Sequence, residues 1–210
     1  LYEQKSECTC RLRMSMGKPI EVLVLAAGLS TRLGQHKAMI DVNGKPLIHH
    51  IVKRLHRSGM TSITSVTNTD LLADVMLASP SGNVVLNPAP ELGRTESIRC
   101  GLRSMIERLG SLPKRVLIVP IDRPGWDVEI IHSLIGLGVS AYPIASGKGG
   151  HPLYLEEEDI RSVYLSEGDV PLKNLVNCQA VEVTFDSLHL NIDTPDDLEL
   201  LNAAAMEPWF

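Results

Sequence analysis

The chain has 210 residues, 44% of them hydrophobic and 21% charged, which is typical of a folded globular protein. Its net charge of −5 argues against binding to duplex nucleic acid, whereas anionic small molecules stay possible ligands because the local field of a pocket can oppose the global charge. No apolar run approaches the roughly 20 residues of a membrane span, and the charged first residues argue against a signal peptide, so we expect a cytoplasmic protein that contacts no membrane.

Residues 1–18 are polar and without periodicity, which predicts a disordered or extended tail followed by a single domain over residues 19–210. The tail contains Cys8 and Cys10, a lone pair that is a weak signal for metal binding. Cys100 and Cys178 lie in apolar, regularly patterned segments and are expected to be reduced thiols that pack as small hydrophobic residues.

From Glu21 onwards, apolar segments alternate with amphipathic ones. Strands are predicted at Glu21–Ala27, Ser62–Thr67, Val84–Leu86, Val116–Ile121, Ala141–Ala145, Pro152–Leu155 and Ala180–Thr184. Helices are predicted at Pro46–Arg57, Leu71–Leu77, Thr95–Leu109, Val128–Leu134, Glu156–Tyr164, Pro171–Val176 and Pro195–Ala205. This alternation predicts βαβ units, a mostly parallel sheet and a three-layer α/β fold.

Two helices carry polar residues with a specific expectation. The last one is predicted to begin with Thr194 as N-cap and Pro195 in the first helical position. The helix at Pro46–Arg57 has a basic set that we expect to form a solvated face. Its members are His49, His50, Lys53, Arg54, His56 and Arg57.

A glycine-bearing loop, Gly28–Lys37, directly follows the first predicted strand, which is where α/β folds bind phosphates. Arg32 and Lys37 give this loop fixed positive charge. Five residues separate Gly28 from Gly34, which excludes a P-loop, and Ser30 interrupts the dinucleotide-binding pattern. An ordinary loop with surface cations is the alternative interpretation.

This loop and its continuation resemble the signature of the nucleotidyltransferases related to molybdenum cofactor cytidylyl- and guanylyltransferases. The matching residues are Leu25, Ala26, Ala27, Gly28, Ser30, Arg32, Gly34, Lys37 and Gly44–Leu47. The resemblance spans residues 22–201 and implies a Rossmann-like α/β/α nucleotidyltransferase fold. It also implies that the loop, including Leu25, Ala26, Ala27, Gly28 and Ser30, wraps a nucleoside triphosphate. Arg32 and Lys37 would then contact the phosphates and contribute to catalysis.

Two aspartates are the candidate ligands of Mg²⁺. Asp122 follows the buried strand Val116–Ile121, and Asp193 precedes the last helix. Each alone is equally compatible with a turn or a helix cap, but both match the metal-ligand motifs of the family, where Asp122 is also catalytic. Arg123 departs from the usual family residue, and we expect it to point away from the ion because side chains alternate along an extended segment.

The start of the helix at Thr95–Leu109 is the candidate base-binding segment. Arg94 and Ser97 would bind the nucleotide there, with simple capping by Thr95 as the alternative. The segment is similar to isoprenoid-pathway cytidylyltransferases, and Leu25-Ala26-Ala27-Gly28 resembles members that use CTP. By the same resemblance His151, in a Gly-His-Pro step, would contact an acceptor phosphate. The alternative interpretation is that His151 is a structural turn residue.

The resemblance thus implies a Mg²⁺-dependent transfer of CMP from CTP to a phosphorylated small-molecule acceptor. GTP as donor and an isoprenoid-type or sugar-phosphate cytidylyltransferase are the alternatives within this class. A regulatory domain that binds nucleotides without turnover is the rival outside it. A nicotinamide-dependent oxidoreductase is disfavoured because the dinucleotide fingerprint is absent.

Overall fold

The computed structural model describes residues 19–30, 32–79 and 82–210, so Cys8 and Cys10 lie outside the described residues. The strands are β1 Glu21–Leu25, β2 Asp41–Val42, β3 Lys45–Pro46, β4 Ser62–Thr67, β5 Asn83–Leu86, β6 Arg115–Pro120, β7 Ala141–Ala145, β8 Lys148–Gly149, β9 Leu153–Glu156 and β10 Gln179–Glu182. The helices are α1 Leu47–Arg57, α2 Leu72–Ala78, α3 Arg94–Leu109, α4 Val128–Gly136, α5 Glu157–Leu165 and α6 Asp197–Ala204.

The main sheet has the strand order β10-β7-β9-β6-β1-β4-β5, with β8 paired to β7 outside this path. β1 lies inside the sheet and pairs in parallel with β4 on one side and β6 on the other. β9 runs antiparallel between β6 and β7, while β2 and β3 form a separate hairpin. The predicted mostly parallel sheet is therefore confirmed.

Alternate residues of β1 enter two different hydrophobic cores. Val22 and Val24 pack in the core that also contains residues of α1, α2, α4 and α6. Leu23 and Leu25 pack in the other core, against α3 and α5. Because β1 is buried on both faces, its sequence is continuously apolar rather than alternating. The three layers predicted from the sequence are confirmed.

Helix α3 lies unusually close to the sheet at Gly101. A Cβ atom at this position would lie 2.2 Å from Leu23 Cδ1 and 3.1 Å from Val66 Cγ2. Glycine in a helix interior costs roughly 0.5–1 kcal/mol relative to alanine. Gly101 therefore lowers the helix propensity of α3 but allows a closer contact between this helix and β1.

Two predicted helices differ from the structure. The segment predicted as a helix at Pro171–Val176 contains a 3₁₀ turn at Leu172–Asn174 instead. The last helix begins at Asp197, and Thr194 does not cap it: the Asp197 carboxylate accepts hydrogen bonds from the Asp193 and Thr194 amides and the Thr194 hydroxyl. The carboxylate satisfies these donors better than a hydroxyl would because it is an anion with several acceptor sites.

The predicted solvated face of α1 is wrong for several of its members. Arg54 is 1% exposed and is among the most buried side chains of the protein. His50 is half-buried, bonds to the Val42 carbonyl oxygen at 2.8 Å, and has its pKa lowered mainly by burial. His56, Lys53 and Arg57 are exposed as predicted, and His56 Nδ1 lies 3.0 Å from the Met60 carbonyl oxygen.

Among the described residues, none of the helices combines the length and apolar character that crossing a lipid bilayer demands.

Candidate active site

The candidate site lies at the carboxyl ends of β1 and β6, where ligands bind in open α/β sheets. The Ile121 amide donates to the Leu25 carbonyl oxygen at 3.0 Å, so the two strands stay joined up to the edge of the site. A cavity of about 190 Å³ opens there. It is lined by Leu25, Ala26, Ala27, Gly28, Ser30, Lys37, Ala38, Pro90, Gly93, Arg94, Ser97, Pro120, Ile121 and Asp122.

The glycine loop is held in shape by its own hydrogen bonds. Ser30 has a positive φ of 52°, and its carbonyl oxygen accepts from the Leu33 and Gly34 amides. The Ser30 hydroxyl accepts from the Lys37 amide at 3.3 Å, which joins the two ends of the loop. Ser30 and Lys37 are thereby fixed beside the cavity.

A cluster of opposite charges closes the loop. Lys37 Nζ lies 2.6 Å from Asp193 Oδ1 and 3.7 Å from Asp122 Oδ2. Arg32 adds a contact of 3.6 Å to Asp193 Oδ2 from a largely exposed position. The fold thus brings together two aspartates and two cations that the sequence analysis had selected on separate segments.

The two aspartates are also joined through the backbone. The Ile192 amide donates to the Asp122 carbonyl oxygen at 2.9 Å, and Asn191 Nδ2 donates to Asp193 Oδ2 at 2.8 Å. The hydrogen bond from Lys37, followed by that from Asn191, lowers the pKa of Asp193 to about 2. The carboxylate is therefore ionised at neutral pH.

The donor chemistry of this pair fits a hard divalent cation. Asp122 and Asp193 offer carboxylate oxygens, and one cationic ammonium already lies within reach of both. Mg²⁺ is usually bound by one or two carboxylates together with substrate phosphates and water. Within the part of the chain that the structure describes, no group of three or more His, Cys, Asp or Glu residues could hold a metal. An ion held by this pair would leave positions for substrate phosphates and water.

The start of α3 forms the wall where base recognition was predicted. Ser97 is buried, and its hydroxyl accepts a hydrogen bond of 3.0 Å from Asn87 Nδ2. Thr95 does not cap the helix, because its hydroxyl donates to the Val170 carbonyl oxygen at 2.7 Å. The capping alternative for Thr95 is therefore wrong. Arg94 is exposed at the rim of the cavity.

Two buried asparagines that the sequence analysis had not selected organise this edge. Asn68 follows β4 directly and donates to the Ala27 carbonyl oxygen at 3.1 Å. Asn87 follows β5 directly, and its side chain also accepts from the Ala89 amide at 3.0 Å. Their position one residue after a parallel strand is the signal that would have identified them.

His151 does not line the cavity, but its pKa is affected by Arg94 and Asp122, which do. Since β9 runs antiparallel to β6 with Leu153 opposite Ile118, the residues before Leu153 lie beside the end of β6. Burial, followed by the positive charge of Arg94, lowers the pKa of His151 to about 4, with Arg123 contributing in the same direction and Asp122 opposing. The imidazole is thus neutral at neutral pH.

The expected alternation after β6 does not occur. Ile121 and Asp122 form a turn, in which the Arg123 amide donates to the Pro120 carbonyl oxygen at 3.2 Å. The prediction that Arg123 points away because the segment is extended therefore rests on a wrong premise. Arg123 is half-buried, and its charge acts on His151.

Several solved structures share this fold. A nucleotidyl transferase from Methanothermobacter thermautotrophicus has a TM-score of 0.71 at 20% identity, covering 90% of this chain and 99% of its own. Rv0371c from Mycobacterium tuberculosis, solved with manganese, has a TM-score of 0.68 at 18% identity, covering 89% and 100%. Molybdopterin-guanine dinucleotide biosynthesis protein A from Archaeoglobus fulgidus has a TM-score of 0.61 at 21% identity, covering 88% and 97%. At these identities the likeness concerns the fold.

Comparison of sequences gives more specific information than the likeness in fold. The bifunctional protein GlmU of Rhizorhabdus wittichii is 28% identical over 120 residues, which are 56% of this chain. The chain spans about a quarter of that relative, since the match covers 26% of its length. The model of the family described as the MobA-like NTP transferase domain matches residues 22–183, well over half of the chain. The chain therefore belongs to the family of MobA-like NTP transferase domains.

Proposed function

We propose that this domain transfers a nucleoside monophosphate group, with CTP as the favoured donor, to a phosphorylated small-molecule acceptor. The observation that supports this most is the convergence of Lys37, Asp122 and Asp193 at the mouth of a glycine-loop cavity. Lys37 and Asp193 are 156 positions apart, so this convergence is a property of the fold and not of one local motif.

The triphosphate would bind along the Gly28–Lys37 loop. Arg32 and Lys37 would hold the β- and γ-phosphates because charge-assisted hydrogen bonds are the strongest available to a protein. The charges of the cluster cancel, since two cations face two carboxylates. Before the metal ion is bound by the carboxylates, the cluster would therefore neither strongly attract nor strongly repel an incoming triphosphate.

Asp122 and Asp193 would hold Mg²⁺. The manganese complex of the Mycobacterium tuberculosis relative supports a divalent ion in this fold. When bound, such an ion neutralises charge that develops on the phosphates during transfer. The Lys37 ammonium contacts both aspartates in this structure. With the ion bound by these carboxylates, Lys37 would turn from them towards the leaving pyrophosphate.

The reaction would be an in-line displacement. An oxygen of the acceptor phosphate forms a bond to the α-phosphorus, and the bond from this phosphorus to the bridging oxygen breaks, so pyrophosphate leaves with the electron pair. An ionised phosphate needs no strong general base, and catalysis rests on positioning and charge stabilisation. His151, neutral between Arg94 and Arg123, would border the acceptor phosphate as a hydrogen-bonding group.

Base selection would take place at the wall formed by Ala26, Ala27 and the start of α3. Both alanines are buried, and Asn68 fixes the carbonyl oxygen of Ala27. Ser97 is held by Asn87, so its backbone and hydroxyl present a rigid edge to a base. The preference for CTP over GTP rests on resemblance in the Leu25–Gly28 segment.

The test is pyrophosphate release. The protein is mixed with Mg²⁺, one of the four NTPs and a set of phosphorylated acceptors, with Asp122→Asn as the inactive control. Release with CTP that depends on both metal and acceptor would support the proposal. Release with GTP alone would replace the donor by guanylyl transfer. Stabilisation by NTPs without any release would favour the regulatory interpretation.

A further inference from the structure

Arg54 is a buried cation without a carboxylate partner. It forms no ion pair within the described residues, and the residue is 1% exposed. Burial, followed by the charge of Arg57, lowers the pKa of Arg54 to about 9, which leaves it protonated at neutral pH. A buried cation in this position is unfavourable unless the surrounding groups compensate its charge.

The groups that compensate its charge are two carbonyl oxygens and three aromatic rings, with a smaller electrostatic contribution from the Asp127 carboxylate, which opposes the lowering of the Arg54 pKa. Arg54 Nη2 donates to the Pro124 carbonyl oxygen and Nη1 to that of Trp126, each at 2.9 Å. The guanidinium carbon lies 4.1 Å from the Trp126 ring centroid, 4.8 Å from that of Phe210 and 5.2 Å from that of Trp209. A planar fork that stacks on rings and binds two acceptors is specific to arginine.

Both carbonyl oxygens belong to the segment that follows Asp122. This segment, Arg123–Trp126, is also fixed from its other side, since a Cβ atom on Gly125 would lie 1.8 Å from the Ser187 carbonyl oxygen. At its beginning, the Asp122 carbonyl oxygen accepts the hydrogen bond from Ile192, the neighbour of Asp193. Arg54 thus contacts the segment that directly follows Asp122, and the hydrogen bond from Ile192 joins Asp122 to the residue next to Asp193.

We propose that Arg54 is a positioning residue that sets the separation of the Asp122 and Asp193 carboxylates by clamping the Arg123–Trp126 segment. A hydrophobic side chain of similar volume would avoid the charge but remove the Arg54 donor from the buried Trp126 carbonyl oxygen and leave the Pro124 carbonyl oxygen with the Trp126 amide at 3.0 Å as its donor. The segment would then be free to shift, and Asp122 with it.

The experiment compares Arg54→Lys and Arg54→Met with Arg57→Met as matched control. Arg57 lies on the same helix and approaches the Phe210 and Trp209 carbonyl oxygens at 3.3 and 3.5 Å, but it does not contact the Arg123–Trp126 segment. Two readouts are taken: amide hydrogen exchange of peptides covering residues 121–127 in metal-free protein, and Mn²⁺ affinity from the electron paramagnetic resonance signal of the free ion.

We expect faster exchange at residues 121–127 in both Arg54 variants, with exchange in β4 unchanged, and a Mn²⁺ affinity lower by roughly tenfold or more. Arg54→Lys should lose less than Arg54→Met, because it keeps the charge but not the fork. The inference is overturned if the Arg54 variants match Arg57→Met in both readouts, or if both unfold and so show a general structural role.

The metal readout rests on the proposed function, whereas the exchange readout does not. Absence of Mn²⁺ binding by the wild-type protein would count against the proposed function alone. Exchange at residues 121–127 would still decide whether Arg54 clamps the segment.

Discussion

Replacing Asp193 by asparagine probes the charge cluster with a nearly isosteric change. In the metal-free protein it weakens the 2.6 Å contact to Lys37 and the 3.6 Å contact to Arg32. The lowering of the Asp193 pKa from 3.8 to about 2 corresponds to about 2 kcal/mol of stability. This is an upper bound because a quarter of the side chain (25%) is exposed. We therefore expect a loss of roughly 1 kcal/mol at neutral pH.

The pH dependence gives the sign of this effect. A carboxyl group whose pKa is lower in the folded than in the unfolded state stabilises the protein above its unfolded pKa. This contribution is lost as the pH falls from 3.8 towards about 2. Urea unfolding in EDTA should therefore show wild type more stable than Asp193→Asn at neutral pH, with the difference vanishing in strong acid.

Turnover should respond far more strongly than stability. If Asp193 and Asp122 share one ion, either asparagine variant should lose roughly 100-fold or more in turnover, as for removal of other groups that stabilise developing charge. The double variant should be little worse, because losing one ligand already disables the site. Asp196→Asn, at an exposed neighbour whose side chain forms no cap, is the control. Full activity of Asp193→Asn at limiting Mg²⁺, or additive losses in the double variant, would refute the shared-ion model.

Three further outcomes follow from the site. Lys37→Ala should lower NTP affinity or turnover about tenfold or more, since charge-assisted hydrogen bonds contribute ~1.5–3 kcal/mol. Steady-state kinetics against Lys53→Ala, an exposed lysine on α1, would check this, and equal kinetics in the two variants would remove Lys37 from the site. CTP with Mg²⁺ should raise the melting temperature more than GTP, and a reproducible GTP preference would reverse the donor assignment. His151 takes up a proton less readily when folded, because its pKa falls from 6.5 to about 4. Its contribution to stability should therefore decrease by at most about 3 kcal/mol as the pH drops through that window. Urea unfolding of wild type and His151→Gln in EDTA would measure it, and an identical pH dependence in the two would contradict the shift.

The central layers were predictable because hydrophobic periodicity dominates there. The strands at Ser62–Thr67 and Ala141–Ala145 have the predicted bounds. Most residues of both strands are buried because the strands lie within the sheet. The ends of elements were less predictable. The start of α6 depends on Asp197, whose carboxylate accepts hydrogen bonds from the amides of Asp193 and Thr194 before the helix. The spacing of residues in the sequence does not reveal these hydrogen bonds.

In the candidate site, Lys37, Asp122 and Asp193 were predicted from their sequence motifs, and the structure places them together. Their roles in binding and catalysis stay predictions. The burial of Arg54 was not predictable from its helix, because its partners, Pro124 and Trp126, lie 70 and 72 positions later. An arginine on an amphipathic helix is ordinarily solvated, and only the tertiary fold supplies carbonyl oxygens and aromatic faces for it.

The close contact at Gly101 has a consequence for the breadth of the nucleotide pocket. Ser97, one helical turn earlier on the same rigid α3, forms part of the pocket wall. The distance between this wall and the carboxyl end of β1 is therefore dictated by how deeply the helix sits on Leu23 and Val66. The room left for a base is thus determined at a residue that no nucleotide would touch. A larger residue at position 101 would push α3 away from Leu23 and Val66 and so widen the candidate pocket on the side of Ser97.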